Sequence, residues 1–199
     1  MAEKLNNLSQ HVVGVMKELS RNDGLVELLS HNILTPLDST THTIRPKYDT
    51  NNYYVINSEG NFVLPEIDND KIYNPSSSFC KILPYPFDPD ATVSDGSFIR
   101  VYYNQGEFND GQTIQEMSMH VDIIVAKSLW LINDLVRKQS LIRPYEIMDR
   151  VVDMVGKRSV SPIKLNFTGW QHLAVNTKFD AIRLYSDYYS VEAENHYGI

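Results

Sequence analysis

The stretch "QEMSMHVDIIVA", Gln115 to Ala126, alternates without a break. Met117, Met119, Val121, Ile123 and Val125 take every second position, and Glu116, Ser118, His120 and Asp122 take the others. That is the period of a β-strand with one apolar face, so this segment sets the frame for the rest of the chain. A strand of this length needs partners and an apolar layer to cover it. "FIRVYY" from Phe98 precedes it across the turn residues "NQGEFNDGQ", which predicts an antiparallel pair. "IKLNFTGWQHLAV" and "FDAIRLYSDYYSV", joined by "NTK", read as two further long strands, with Gly169 marking a bulge in the first.

Helical spacing supplies the cover. Leu5, Leu8, Val12, Met16 and Leu19 recur every three or four residues, and Asn22 or Asp23 caps a second short helix holding Leu25, Leu28 and Leu29. "RPYEIMDRVVDMV" carries Pro144 in a first helical turn and the stripe Ile147, Met148, Val151, Val152 and Val155, with Gly156 as its end. Between the N-terminal helices and the main sheet lies a different kind of sequence. Seven of the nine prolines fall between Pro36 and Ser97, together with the hairpin signature "NYYVINSEGNFVLP" around Asn57 to Gly60. The order of elements predicts an α+β fold, a mainly antiparallel sheet packed with helices, as one domain over 1–199. Residues 36–97 form a long irregular, proline-rich insertion or arm within it.

Chemistry is hard to find in these residues. Same-face neighbours on a strand stand roughly 6.6 Å apart, so Ser118, His120 and Asp122 cannot converge as a catalytic triad. They read as the outer, solvent-facing side of an amphipathic strand. The six histidines form no HxxxH, HExxH or histidine–cysteine cluster, and "DPDATVSDG" lacks the spacing of a calcium loop. No phosphate-binding glycine motif is present. Cys80 is the single cysteine, which excludes an intrachain disulfide, and it reads as packing rather than as a nucleophile. The expectation is a protein without catalysis, cofactor or metal.

A net charge of −7 argues against general binding to nucleic acid or anionic membranes. No apolar run approaches the roughly 18 residues of a membrane span. "MAEKLNNLSQHVVGVMKEL" has no apolar h-region, so export by a signal peptide is not expected. Twelve tyrosines are many for 199 residues. Tyr102 and Tyr103 on the first core strand and Tyr185, Tyr188 and Tyr189 on the last place aromatics on both strand faces, which marks them as candidate protein-interface residues.

A helical start ending in "DGLVELL", then "FIRVYY", a turn, "MSMHVDIIVAKS", a helix and the closing strands "FTGWQHLAV" and "FDAIRLYSDYYSV" resemble the tail-terminator and tail-completion, or head–tail joining, proteins of tailed bacteriophages. The resemblance covers Leu5–Ile33 loosely and Phe98–Val191 better, and it leaves the excursion unmatched. It implies a structural virion protein assembled in the host cytoplasm. Such a protein forms a homo-oligomeric, usually hexameric ring at the head-proximal end of the tail tube. Its partners would be the tail-tube protein and a neck or head-closure protein. DNA would pass through the lumen without specific binding, which an acidic chain favours. Tyrosine-rich strands would supply head-to-tail contacts, and the excursion would reach a neighbouring subunit. The competing expectation is a small-molecule or carbohydrate-binding module, or a cryptic hydrolase, using Trp130 or Trp170 beside carboxylates.

Overall fold

The computed structural model describes residues 2–90, 93–108, 114–157, 159 and 163–188. The chain opens with α1 (Ala2–Leu19) and α2 (Asp23–Ser30). The Asn22 side chain caps α2 by accepting from the Leu25 amide at 2.8 Å. Through the excursion run β1 (Val55–Ile56), β2 (Phe62–Val63) and β3 (Ile82–Leu83). The long strands β4 (Ser97–Phe108) and β5 (Ile114–Ala126) follow. Then come β6 (Leu131–Asp134), β7 (Gln139–Ile142), α3 (Arg143–Val155), β8 (Asn166–Ala174) and β9 (Phe179–Tyr188). This is an α+β fold. Among the described residues, no helix is long and apolar enough to cross a membrane.

The main sheet has the order β3-β4-β5-β9-β8, antiparallel except where the short β3 lies parallel to β4. Alternation sorts its side chains. Ile99, Val101, Met119, Val121, Ile123, Val125, Ile182 and Leu184 point to one face and are buried there. Val15, Met16 and Leu19 of α1, Leu25 to Leu29 of α2 and Ile147, Val151 and Val155 of α3 close over them. Each such side chain contributes roughly 1.5–3 kcal/mol on burial, and that is what holds helices as short as α2 in place. The expected stripes are modified in detail. Leu8 is only half-buried, Val15 joins the α1 stripe, and Val152 of α3 is exposed. The Leu5 side chain lies outside the described part. α3 ends at Gly156, whose extended backbone leaves the helix while its amide still donates to the Val152 carbonyl, an approach so close that a Cβ there would collide with that carbonyl.

The hairpin expected near Gly60 is present as β1–β2, and Gly60 takes the positive φ of 84° that its turn requires. The excursion around it does not extend as an arm. It lies on the body of its own chain, with Tyr54, Ile72 and Ile82 buried and Phe87 and Val93 against the sheet. Apolar residues scattered among the prolines find cover at hand, so the segment folds back. Polar ties help. The His31 ring bridges the carbonyls of Pro36 and Pro65. Asp38 Oδ2 accepts from Tyr54 Oη at 2.6 Å, Tyr48 Oη at 2.7 Å and His42 Nε2 at 2.8 Å. Burial pushes the Asp38 carboxyl up, but these bonds more than offset it and hold it at about 2.

Candidate protein interface

On the sheet face away from the helices, β4, β5 and β9 place Tyr102, His120, Asp122, Arg183 and Tyr185 side by side, because Tyr102 pairs with His120, Asp122 with Arg183, and His120 with Tyr185. This face is not the solvent-facing row expected from the alternation. His120 and Asp122 are each only 4% exposed. Arg183 donates to both Asp122 oxygens, Nε at 2.7 Å and Nη2 at 2.8 Å, and Tyr102 donates to Asp122 Oδ2 at 2.8 Å. The His120 ring fills the gap between Tyr102 and Tyr185, with centroids at 5.7 and 5.1 Å. Bulky neighbours on the two flanking strands bury the polar row, and the opposed charges make that burial tolerable.

The electrostatics follow from that packing. The Asp122 bond raises the Arg183 guanidinium above its ordinary range. Burial and the Asp122 bond raise the Tyr102 hydroxyl. Burial, and then the Arg183 charge, lower His120, which keeps its imidazole neutral at pH 7. The Asp122 carboxylate is engaged by Arg183 and Tyr102, while His120 Nδ1 has no hydrogen-bond partner. Ser118, His120 and Asp122 therefore do not form a proton relay. Among the described residues no three His, Cys, Asp or Glu side chains are placed to share a metal ion.

The five tyrosines separate. Tyr102 is buried on the outer face, its hydroxyl committed within the chain. Tyr103 points to the helical side, packs on the core and meets His11 Nδ1 at 3.4 Å. Tyr185 is half-buried on the outer face and donates to Gln171 Oε1 at 2.6 Å. Tyr188 is placed only as the β9 residue opposite Met117, and Tyr189 lies outside the described residues. The structure thus brings Tyr102 and Tyr185 together around His120 and sends Tyr103 to the other side.

A different surface is open. β8 forms the edge of the main sheet, and among the described residues nothing pairs with its outer side. Its nine residues, "NFTGWQHLA", contain no proline, aspartate, glutamate, lysine or arginine, the residues that ordinarily guard an edge. A bulge between Phe167 and Gly169 interrupts its pairing with β9, as expected at Gly169. Trp170 is 54% exposed, at the margin of the helical layer, where it meets the exposed Tyr145 ring of α3 at 6.3 Å. The other tryptophan, Trp130, is half-buried against the core and faces His172 at 5.4 Å. The β6–β7 hairpin, not anticipated from the sequence, presents Leu131, Val136 and Ile142 to solvent. Its signal was Asp134, which turns the chain by accepting from the Val136 and Arg137 amides between two apolar runs.

These features define an α+β protein with a buried polar row on its sheet and, among the described residues, a long edge strand that carries no charge or proline. A family model described as YomW matches residues 22–188, so the chain belongs to the YomW family. The matched stretch runs from α2 through the whole excursion to the end of β9. No curated protein matches the chain.

Proposed function

We propose that this chain is a structural assembly protein of a tailed phage, a tail terminator that forms a ring at the head-proximal end of the tail tube and joins it to the neck. The observation that carries the reading is the β8 edge. A nine-residue edge strand whose alternate backbone donors and acceptors face away from β9, without a guarding charge and with Trp170 and Tyr145 beside them, suits strand addition by another protein. The family's name is consistent with a phage-derived protein. The element order adds support, since it resembles that of tail-completion proteins. The acidic balance suits a lumen that passes DNA without retaining it. Catalysis has no part in this role.

Light scattering on size-separated samples, with the tail-tube protein of the same phage present and absent, tests the proposal. Rings, or capped tubes of limited length, are the expected outcome. A strict monomer that never joins tubes or neck complexes contradicts it. A second reading, a ligand-binding module, is favoured by a cleft of about 770 Å³ between α2 and the excursion, lined by Asp23, Glu27, His31, Asp38 and Glu66. Neither tryptophan lines that cleft. A saturable thermal-shift hit lost in Glu27→Gln would favour this module.

A further inference from the structure

Arg100 stands on the outer face of β4 and is 6% exposed. Its guanidinium carbon lies over three rings, 5.4 Å from the centre of Tyr85 and 5.6 Å from those of Phe87 and Phe98. Ring faces attract the cation but give its N–H groups no acceptor, and Nε and Nη1 have no hydrogen-bond partner. Its cross-strand neighbour is Asp122, already committed to Arg183 and Tyr102. Lys81 shares the site, its Nζ 4.8 Å from the centre of the Phe98 ring. Two cations therefore converge on one aromatic ring.

Nothing described in the chain neutralises them. Burial pushes the Cys80 thiol up, so at neutral pH it is uncharged and offers no counter-ion. Burial, and the Arg100 charge beside it, hold the Lys81 ammonium below its ordinary range. A buried guanidinium with idle donors is costly unless something completes it. A Cβ on Gly96 would stand 3.0 Å from the Phe98 ring and 3.6 Å from Lys81 Nζ, so glycine lets the ring and the ammonium pack closely beside it. Tyr85 forms an exposed rim.

We propose that Arg100 and Lys81 bind an oxyanion, a phosphate or a carboxylate, in the aromatic cage of Tyr85, Phe87 and Phe98. The guanidinium supplies directed donors, the ammonium a compact charge, and the rings exclude competing water. The site is independent of the assembly reading, because it uses β3, β4 and the excursion and none of β8.

The test is titration of the full chain with inorganic phosphate, and separately with acetate and a short polyglutamate peptide, each against chloride at equal ionic strength. Calorimetry and thermal shift give the readout. Saturable binding above chloride is expected, weakened about tenfold in Lys81→Gln and further in Arg100→Gln. Phosphate alone binding identifies a free tetrahedral anion. Acetate and the peptide binding as well identifies an acidic side chain of a partner. Should Arg100→Gln fail to fold, Lys81→Gln decides, since the lysine head touches the Phe98 ring of β4 but makes no hydrogen bond or ion pair among the described residues. Binding no stronger than chloride, or unchanged in Lys81→Gln, overturns the proposal.

Discussion

Arg183 holds Asp122 through two parallel bonds across β9 and β5, Nε to one carboxylate oxygen at 2.7 Å and Nη2 to the other at 2.8 Å. The pair sits on a sheet face that solvent barely reaches at Asp122, so its geometry is fixed rather than screened. It also positions the Tyr102 hydroxyl, which Arg183 Nη2 meets at 2.9 Å.

Removing the Asp122 charge leaves the guanidinium with weaker acceptors. Asp122→Asn is expected to lower stability by about 2 kcal/mol in denaturant unfolding. A double-mutant cycle with Arg183→Met checks the cause. Coupling of about 1 kcal/mol or more is expected, and simple additivity would contradict it.

Arg143, fully buried at the start of α3, donates to the carbonyls of Leu28, His31, Ile33 and Leu129 at 2.6–2.9 Å. One side chain thereby satisfies the end of α2 and ties it to α3. Its burial lowers the guanidinium to about 10, still charged at neutral pH. Arg143→Met is expected to cost about 3 kcal/mol or more, because buried carbonyls lose their donors. Arg143→Lys recovers only part of that, since an ammonium cannot reproduce the fork. Thermal unfolding of the two variants provides the comparison.

Asp38 makes stability depend on pH in the acid range. Its folded value of about 2 lies below the ordinary 3.8, so its contribution is fully present above 3.8 and is lost as pH falls towards 2. The shift corresponds to about 2 kcal/mol. Unfolding curves across that window should flatten in Asp38→Asn. A slope identical to that of the parent chain would show that the Tyr54, Tyr48 and His42 bonds do not set it.

Trp170 is about half exposed and meets the Tyr145 ring, so Trp170→Lys is expected to lower stability by only about 1 kcal/mol. The same substitution places a guarding charge on the β8 edge and should abolish incorporation into tails. Circular dichroism and tail-assembly assays read the two effects separately. A larger loss of stability with normal incorporation would reverse their assignment.

Much of this fold was written in periodicities. Met119 to Val125 alternates cleanly because its odd positions meet the helical layer, and the α3 stripe is nearly complete because one face meets the sheet. Where two forces compete, local pattern fails. His120 and Asp122 look like solvent-facing residues, yet they are buried by Tyr102 of the neighbouring β4 and by Tyr185 and Arg183, which arrive from a strand far away in sequence. The excursion has the composition of an extended arm, but Ile72 and Ile82 reach the core through contacts that no local spacing encodes. The open surface was equally hidden. Tyrosine clusters drew attention to β4 and β9, and the long strand that lacks an outer neighbour among the described residues, β8, emerges only from the strand order.

That edge is the centre of the account, and amide hydrogen exchange across Asn166–Ala174 probes it most directly. The account predicts that the β8 amides turned away from β9 exchange rapidly in the isolated chain and become protected in assembled tails, while the β8 amides turned towards β9 and the α3 amides keep the same rate in both. Equal exchange of β8 in the two states, or a chain absent from tail particles altogether, would contradict it.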